Sequence, residues 1–450
     1  MNYFSAVVAA FLSVPCAWAC AADGDLDPSF GLGGMQRFAA TAAHGAPAVA
    51  VQPDGRIVVC DADRHDFVTD DDVLIERFNA DGSLDTTFGV NGSTLLSFDG
   101  QSVRDYCSAI ALQADGRIVL AGVREFVGFG TTYPYFLVVR ITTNGALDTS
   151  FAGGAGYTVF SYETFGHGGA SAVAVDASGR IVVAGGAQFD GGDEDFAVAR
   201  LQPDGTFDPA FNGSGTETIG FFSGFSYDYA TNVAIDAQDR IVLAGVASGE
   251  TVVTRLLEDG TADSTFGSAG SAMLPNGPGA VGFLIDHAGR LVIAGTIAAA
   301  NDNTNADMGV ARLFANGSID TSFGDGGIAS VAFDLADGGG GRDNASAIVE
   351  QADGKLVIVG NAEYGDLEYT HAAAARLLDD GTLDASFGDG GRTVVDFQLA
   401  TPADDWFHGA ALQDGRVVAV GSAEQGDTQV VVDDVLVRLQ SDLVFRETFD

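Results

Sequence analysis

The stretch DGTLDASFGDGG, Asp380–Gly391, mixes acidic residues with glycine in a pattern that fits a calcium loop, a phosphate loop or a structural turn. The rest of the chain decides among these, because the core of the stretch, LDxxFG, returns at intervals of about sixty residues. A motif that recurs in register is typical of a repeat architecture. The motif aspartate occurs seven times, at Asp27, Asp85, Asp148, Asp208, Asp263, Asp320 and Asp384.

A second motif alternates with the first and has the form DGRIVV. It places one basic residue in each unit, so the two motifs together define seven repeats of about sixty residues. The basic residues are Arg56, Arg117, Arg180, Arg240, Arg290, Lys355 and Arg416. These repeats predict a single domain over residues 22–440, preceded by a signal peptide at 1–21 and followed by a C-terminal tail at 441–450.

Each unit has an all-β pattern. In the second unit the runs STLLSF, SAIALQ, RIVLAGV and YFLVVRI are short and apolar, and Asp115-Gly116 and Asn144-Gly145 are strong hairpin signals. Several runs are apolar on both faces, as in sheets that pack between two other sheets. Seven such units predict a seven-bladed β-propeller of four-stranded antiparallel blades. A β-solenoid is the alternative, but its coils are usually shorter.

An arginine precedes the motif aspartate by eight residues in every internal repeat. This constant spacing predicts a structural ion pair, with the aspartate also accepting backbone N–H groups of the turn. The phenylalanine three residues later is predicted to fill the seam between blades, and the following glycine to be left-handed. The six pairs are Arg77 with Asp85, Arg140 with Asp148, Arg200 with Asp208, Arg255 with Asp263, Arg312 with Asp320, and Arg376 with Asp384.

The two ends of the chain each hold half of a seventh pair. Asp27 lacks an arginine eight residues before it, and Arg438 lacks an aspartate eight residues after it. The sequence therefore predicts that the ring closes by pairing Arg438 with Asp27. Phe30 would fill the last seam, and a strand around Met35 to Ala39 would act as the clasp.

The combination of DGxLDxxFGxGG, DGRIVVAG and VARL resembles the delta-60 repeat family of bacterial proteins. The resemblance covers nearly the whole mature chain and implies a β-propeller and export, but no reaction. The repeats depart from the family pattern at Phe207 and Ala262 in place of leucine, at Ala152 and Asn212 in place of glycine, and at Asp239.

The strongly acidic composition disfavours anionic partners. Lys and Arg total 21 against 62 Asp and Glu, and the resulting net charge of −41 repels nucleic acid and anionic lipid. Residues 3–19 form an apolar stretch followed by two candidate cleavage sites, Ala17-Trp18-Ala19 and Ala19-Cys20-Ala21. We therefore expect a monomer that is secreted, periplasmic or at the cell surface, with no membrane span after the signal.

Cys60 and Cys107 are the two cysteines that remain after the signal region. An oxidising compartment would permit a bridge between them. Cys60, however, occupies a position that is alanine in four other repeats. The sequence therefore favours two small buried thiols.

Motifs for chemistry are scarce. An EF-hand alignment beginning at Asp23 places Pro28 where glycine is required, so calcium is an alternative interpretation that the spacing disfavours. No cofactor is required by any motif. The six histidines lie singly, without zinc spacing, and the sequence contains neither a GxSxG elbow nor a phosphate loop. An enzyme is therefore less favoured than a binding module.

Antiparallel topology would place the DGR turns and LDxxFG links on one face of the ring and the variable loops on the other. The variable loops carry acid clusters and aromatic residues, which suit an extracellular carbohydrate or protein ligand. The alternative is that these aromatics cover their own loops. The candidate ligand-binding residues are Tyr133, Tyr135, Phe221, Phe222, Phe225, Tyr227, Tyr229, Trp406 and Phe407. The acid clusters are Asp61, Asp63 and Asp66; Asp190, Asp193, Glu194 and Asp195; Asp302 and Asp307; and Asp404 and Asp405.

Three functions follow from this interpretation. The favoured one is an exported, non-enzymatic propeller that binds or displays something through its variable face. The alternatives are a propeller hydrolase or lyase acting on polysaccharide, and a purely structural surface protein.

Overall fold

The computed structural model of the chain describes most of the predicted domain. The described residues are 22–38, 47–64, 71–98, 104–128, 131–162, 167–189, 192–222, 225–299, 302–335, 341–364, 369–397, 404–424 and 432–441. The predicted signal peptide and nearly all of the predicted tail lie outside them. In the part that the structure describes, no helix has the length and apolarity needed to cross a membrane.

The described residues form seven four-stranded antiparallel sheets, which confirms the predicted seven-bladed β-propeller. The one helical element among them is a short 3-10 turn, Ala152–Gly154. Blades 1 to 3 comprise β2 (Ala48–Val51), β3 (Ile57–Arg64), β4 (Asp71–Phe78) and β5 (Ser93–Leu96); β6 (Asp105–Leu112), β7 (Ile118–Gly128), β8 (Thr131–Ile141) and β9 (Tyr157–Phe160); and β10 (His167–Val175), β11 (Ile181–Gln188), β12 (Glu194–Leu201) and β13 (Thr216–Ile219).

Blades 4 to 6 repeat the same order. They comprise β14 (Asp228–Ile235), β15 (Ile241–Ala247), β16 (Glu250–Leu256) and β17 (Ser271–Leu274); β18 (Gly282–Ile285), β19 (Leu291–Ala299), β20 (Asp302–Leu313) and β21 (Ile328–Val331); and β22 (Asp343–Glu350), β23 (Leu356–Tyr364), β24 (Tyr369–Leu377) and β25 (Arg392–Val395).

Blade 7 is built from both ends of the chain. Its strands are β26 (Asp405–Gln413), β27 (Arg416–Glu424), β28 (Val432–Arg438) and β1 (Met35–Phe38). Met35 pairs with Val437 and Phe38 with Asp434, so β1 is the predicted clasp. The first strands of neighbouring blades contact one another around the ring, including β2 with β26, which closes it.

The sequence repeat and the structural blade are offset by one strand. The run STLLSF was grouped with the strands that follow it, but β5 pairs with β4 of the preceding blade. The hydrophobic pattern identifies the strand but not its hydrogen-bonding neighbour, and a one-strand shift leaves that pattern unchanged.

The seven seams between blades share one arrangement of side chains. In each, the arginine Nε donates to the motif aspartate Oδ2 at 2.7–2.9 Å, and the guanidinium lies 4.4–5.0 Å from the centre of the motif phenylalanine ring. The aspartate Oδ1 accepts the backbone N–H two residues later. Six of the arginines also donate Nη1 to a backbone carbonyl of the next blade.

The seventh pair forms as the end positions predict. Arg438 donates Nε to Asp27 at 2.8 Å, and Phe30 is fully buried against residues of blades 7 and 1. The residue after each motif phenylalanine is left-handed in all seven repeats, including Ala152 with φ +52 and Asn212 with φ +48. These two positions lack the glycine that accommodates this conformation without strain.

The cysteines differ from the sequence prediction. Cys60 on β3 and Cys107 on β6 form a disulfide with a Cα–Cα distance of 6.0 Å. The expectation of two separate thiols is therefore wrong. Repeat alignment compared Cys60 with the alanines of other blades, whereas the decisive fact is that the inner strand of the next blade brings Cys107 beside it.

Candidate functional site

The loops of the propeller divide between two faces, as the topology predicts. The motif face carries the turns between first and second strands and the links with LDxxFG, and the variable face lies at the opposite ends of the strands. Because the strand ends of neighbouring blades converge on the variable face, residues distant in sequence meet there. The candidate site lies on this face.

Three of the predicted aromatic residues form a row at the entry to blade 4. Phe225, Tyr227 and Tyr229 are 81%, 65% and 38% exposed, whereas the residues between them, Ser226 and Asp228, are buried. This alternation places the three rings on one side of an extended segment, with alternate side chains about 6.8 Å apart. Exposure falls along the row because Tyr229 already lies on the innermost strand, β14.

The row leads into a cleft of about 380 Å³ between blades 2, 3 and 4. Its volume falls within the range of small-ligand sites. We call it the tyrosine cleft, because Tyr106 and Tyr229 both line it. The other lining residues are Ser108, Val123, Pro134, His167, Gly168, Gly169, Ala170, Ser171, Gly186, Gln188 and Glu194.

Two β-bulges place serine side chains in the tyrosine cleft. The inner strands β6 and β10 each carry a register shift, between Cys107 and Ala109 and between Ala170 and Ala172. A β-bulge re-aims the extra side chain, and the extra residues here are Ser108 and Ser171, both of which line the cleft.

Two glycines in the cleft leave space that a side chain would fill. A β-carbon at Gly169 would lie 2.3 Å from Val123 Cγ2, and one at Gly186 would lie 2.4 Å from Glu194 Oε1. Side chains at these positions would clash with the cleft wall, so only glycine fits there.

The charged groups of the cleft are sparse. Burial raises the pKa of the Glu194 carboxyl, with a further contribution from the nearby Asp228 carboxylate. Burial also raises the pKa of the Tyr106 hydroxyl, and the Glu125 carboxylate acts in the same direction. The cleft therefore presents polar groups that keep their protons more readily than exposed ones, beside two aromatic rings.

Hydrogen bonds to two buried or partly buried aspartates fix the segment that carries the aromatic row. Asp193 Oδ1 accepts the Ser226 backbone N–H at 2.9 Å and its hydroxyl at 3.1 Å. Asp228 Oδ2 accepts the Phe221 backbone N–H at 3.1 Å. Part of the predicted acid cluster thus fixes the segment that carries the row, so that the rings are positioned before any ligand arrives.

The remaining predicted residues have other roles. Phe407 is fully buried and packs edge-on against Phe397, so the prediction that it contacts ligand is wrong. Phe221 packs edge-on against Phe196 in the core between blades 3 and 4 and supports the row from below. Alternation along a strand explains both cases, because a run of aromatics must send some rings inward.

Other predicted aromatics lie on or near the variable face outside the row. Tyr133 contacts the ring of His167, which lines the cleft, with centroids 5.4 Å apart. Tyr135 packs against Phe126, and Phe222 is 44% exposed. Trp406 is half-buried on β26 of blade 7, opposite Ser422, and does not line the tyrosine cleft.

Several cleft residues were missed by the sequence interpretation. Tyr106 comes from blade 2, and His167 and Glu194 from two strands of blade 3; only Glu194 had been noted, as part of an acid cluster. Their position along the strands could have identified them, because all three stand at or near the first residue of a strand that begins on the variable face. Of the predicted acidic residues, Asp66 and Asp190 lie outside the described residues, and the side chains of Asp63 and Asp302 are likewise not described.

Comparison with protein families agrees with the fold. The model of a family described as a domain of unknown function (DUF5122) β-propeller matches six segments, residues 52–88, 113–151, 177–211, 239–266, 289–323 and 351–387. Each runs from the first turn of a blade to the motif phenylalanine or its neighbours. The seventh such segment is the one divided between the chain ends. The chain is therefore a β-propeller repeat protein, and no curated protein matches it.

Solved structures with similar architecture share 11% sequence identity with the chain. An ulvan lyase of polysaccharide lyase family PL25, bound to -[GlcA(1-4)Rha3S]-, has a TM-score of 0.48 and covers 95% of this chain and 98% of its own. The polysaccharide lyase Uly1 has a TM-score of 0.46, with coverage of 90% and 91%. A Dyadobacter fermentans protein of unknown function has a TM-score of 0.42, with coverage of 90% and 100%. Likenesses at this level say nothing about the ligand or reaction of this chain.

Proposed function

Because the chain is a seven-bladed β-propeller repeat protein, with repeats similar to the DUF5122 family, we propose that it is an exported binding module for a neutral carbohydrate. The ligand would occupy the tyrosine cleft and extend along the aromatic row. The observation that carries this proposal is the row itself, in which three rings lead from the rim to a cleft lined by hydroxyl, amide and imidazole groups.

The chemistry of the cleft fits a sugar. A pyranose has an apolar face that packs against aromatic rings and a rim of hydroxyl groups that need hydrogen-bond partners. Tyr106 and Tyr229 offer the rings, and Ser108, Gln188 and Glu194 offer donors and acceptors. Repeated rings along one segment suit successive units of an oligosaccharide.

Charge favours a neutral ligand over an acidic one. The net charge of −41 repels uronates and sulfated sugars at long range. Among the described residues that line the cleft, Glu194 is the acid, and there is no lysine or arginine to hold an anionic group.

The disulfide supports the exported location. A bridge between Cys60 and Cys107 persists in an oxidising compartment and would be reduced in most cytosols. Together with the apolar N-terminal stretch, this favours the secreted, periplasmic or cell-surface location that the delta-60 resemblance implies. A ring that closes upon itself also fits a monomer.

Calorimetric titration of the mature chain tests the proposal. The probes are the hexasaccharides of cellulose, xylan, mannan, laminarin and chitin, with oligogalacturonate as the acidic comparison. We expect at least one neutral probe to bind and oligogalacturonate not to bind. We also expect Tyr229→Ala and Tyr106→Ala to weaken that binding at least tenfold, which corresponds to about 1.4 kcal/mol per site.

Tyr364→Ala is the matched control, because Tyr364 is 53% exposed and lies on blade 6, away from the cleft. Binding that Tyr364→Ala weakens as much as Tyr229→Ala, or the failure of every neutral probe to bind, would contradict the proposal. The same samples should be assayed for new reducing ends. Turnover abolished by the cleft variants would replace the binding role with a catalytic one.

A further inference from the structure

Three side chains that are far apart in sequence meet at the variable-face end of the seam between blades 6 and 7. His371 stands near the start of β24, Asp396 directly follows β25, and Asp405 is the first residue of β26. Ala372 pairs with Val395, so His371 and Asp396 occupy adjoining positions across the two strands. One ligand atom from each of the three residues lies within 4.8 Å of the others.

Two atoms of this cluster are buried without a hydrogen-bond partner. Asp405 is only 2% exposed; its Oδ2 accepts the Phe397 backbone N–H at 2.9 Å, but its Oδ1 has no partner. The Nδ1 atom of His371 is also buried without one, at 3.6 Å from Asp405 Oδ2. A buried polar atom without a hydrogen-bond partner destabilises the fold, so two such atoms in one cluster require an explanation.

We propose that His371, Asp396 and Asp405 bind a divalent transition-metal ion, Zn²⁺ in the first instance. Zn²⁺ takes imidazole nitrogen and carboxylate oxygen at about 2.0–2.2 Å, which separates neighbouring tetrahedral ligands by about 3.4 Å. The 3.6 Å between His371 Nδ1 and Asp405 Oδ2 is close to that value. Three protein ligands would leave a fourth position for water or an exogenous ligand.

The donor set distinguishes this site from a calcium site. Ca²⁺ prefers six to eight oxygen ligands, and an imidazole contributes none. Imidazole suits Zn²⁺ and its neighbours in the first transition row, and carboxylates also suit Mn²⁺. The metal would lie across the ring from the tyrosine cleft, on blades 6 and 7 instead of 2 to 4, so it is independent of the proposed carbohydrate site.

Neighbouring contacts hold the ligands in position. Asp404 Oδ1 accepts the Thr370 backbone N–H at 2.7 Å and its hydroxyl at 3.1 Å, which fixes the start of β24 beside His371. The Tyr364 ring lies 5.1 Å from the His371 ring. Such outer contacts orient metal ligands and account for much of a site's affinity.

The same carboxylates make metal binding compete with protonation. The neighbouring Asp405 carboxylate raises the pKa of His371 despite its partial burial, and the carboxylates of Asp396 and Asp404 act in the same direction. Imidazole and carboxylate ligands must be deprotonated to bind a metal ion, so Zn²⁺ affinity should fall at acid pH.

Equilibrium dialysis of the chelator-treated full chain against Zn²⁺, with elemental analysis, tests the proposal. We expect one tightly bound Zn²⁺ per chain, weaker binding at pH 5.5 than at pH 7.5, and at least tenfold weaker binding in His371→Ala and Asp396→Asn. Asp396 is exposed, so its variant should fold. Co²⁺ in place of Zn²⁺ should give a visible absorption band that His371→Ala abolishes.

His287→Ala is the matched control, because His287 also contacts a carboxylate, Glu350, at 2.5 Å, but is exposed and lies on the motif face. Its Zn²⁺ binding should equal that of the wild type. Less than one bound Zn²⁺ per chain, or equal losses in His287→Ala and His371→Ala, would overturn the proposal in favour of adventitious surface binding.

Discussion

Asp384 shows how one carboxylate stabilises both a turn and a seam. Its Oδ1 accepts hydrogen bonds from the backbone N–H and the hydroxyl of Ser386, and its Oδ2 accepts one from Nε of Arg376. Burial opposes its ionisation, but these hydrogen bonds, with Lys355, outweigh burial and hold the pKa of Asp384 well below its usual range. Because both oxygens are engaged in these bonds, Asp380–Gly391 is a structural turn.

Asp434 presents the opposite case, and it yields a pH prediction. Burial raises the pKa of Asp434, and the neighbouring Asp61, Glu76 and Asp433 carboxyls raise it further. In the unfolded chain Asp434 ionises near pH 4, whereas in the folded chain it keeps its proton well above that pH. The folded state therefore binds more protons, and this group makes stability fall as the pH rises from about 4 towards the raised pKa.

We expect Asp434→Asn to flatten that decline and to stabilise the protein at pH 8 by on the order of 1 kcal/mol or more. Urea unfolding midpoints between pH 5 and 8.5 measure it. Asp343→Asn is the comparison, because burial and the Asp307 carboxylate raise the pKa of Asp343 only to about 6. Its effect should be complete by about pH 7. A wild-type decline that persists in Asp434→Asn would assign the pH dependence to other groups.

At the scale of strands, the sequence predicts the features that recur in every repeat. It does not predict which neighbouring strand each strand pairs with. Two motifs in constant register were enough for the blade count, the Arg–Asp pairs and the clasp, because each depends on spacing along the chain. The assignment of β5 to the preceding blade depends on which edge it pairs with, and apolar patterning is the same for either neighbour.

The same contrast holds for the candidate sites: residues of one loop could be named from the sequence, but residues brought together from different blades could not. The rings of Phe225, Tyr227 and Tyr229 were named from one variable loop, and their exposure follows from packing, since Phe221 of the same loop packs against Phe196 instead. Tyr106 and His167 meet Tyr229 only because blades 2, 3 and 4 converge. His371, Asp396 and Asp405 show no metal-ligand spacing in sequence because they come from the ends of three different strands.

The disulfide joins two elements, the second strand of blade 1 and the first strand of blade 2, and its removal should lower stability. Closing a loop of 47 residues contributes roughly 4 kcal/mol in the chain-entropy treatment. We expect the Cys60→Ala, Cys107→Ala double variant to melt several degrees lower than the wild type by calorimetry. Dithiothreitol should lower the wild-type melting temperature similarly and leave the double variant unchanged. Equal melting temperatures in all samples would contradict a bridge.

The whole molecule is a ring whose last seam differs from the others only in chain connectivity. Arg438 and Asp27 are 411 residues apart in sequence, whereas Arg200 and Asp208 are 8 apart, yet the Nε–Oδ2 distances are 2.8 and 2.7 Å. Phe30 and Phe211 are both fully buried. Local seams can form as the blades form, but the seventh requires the two ends to meet, at the largest loop-closure cost. It should therefore form last and open first.

This order predicts different kinetics for two chemically matched variants. Removing one partner of a buried ion pair costs roughly 3 kcal/mol or more. In Asp27→Asn that loss should appear almost wholly as faster unfolding, roughly a hundredfold, with folding little changed, because the seam is absent from the folding transition state. In Asp208→Asn part of the same loss should slow folding. Folding and unfolding rates measured across a urea series give both values, and a similar slowing of folding in the two variants would show that ring closure belongs to the transition state.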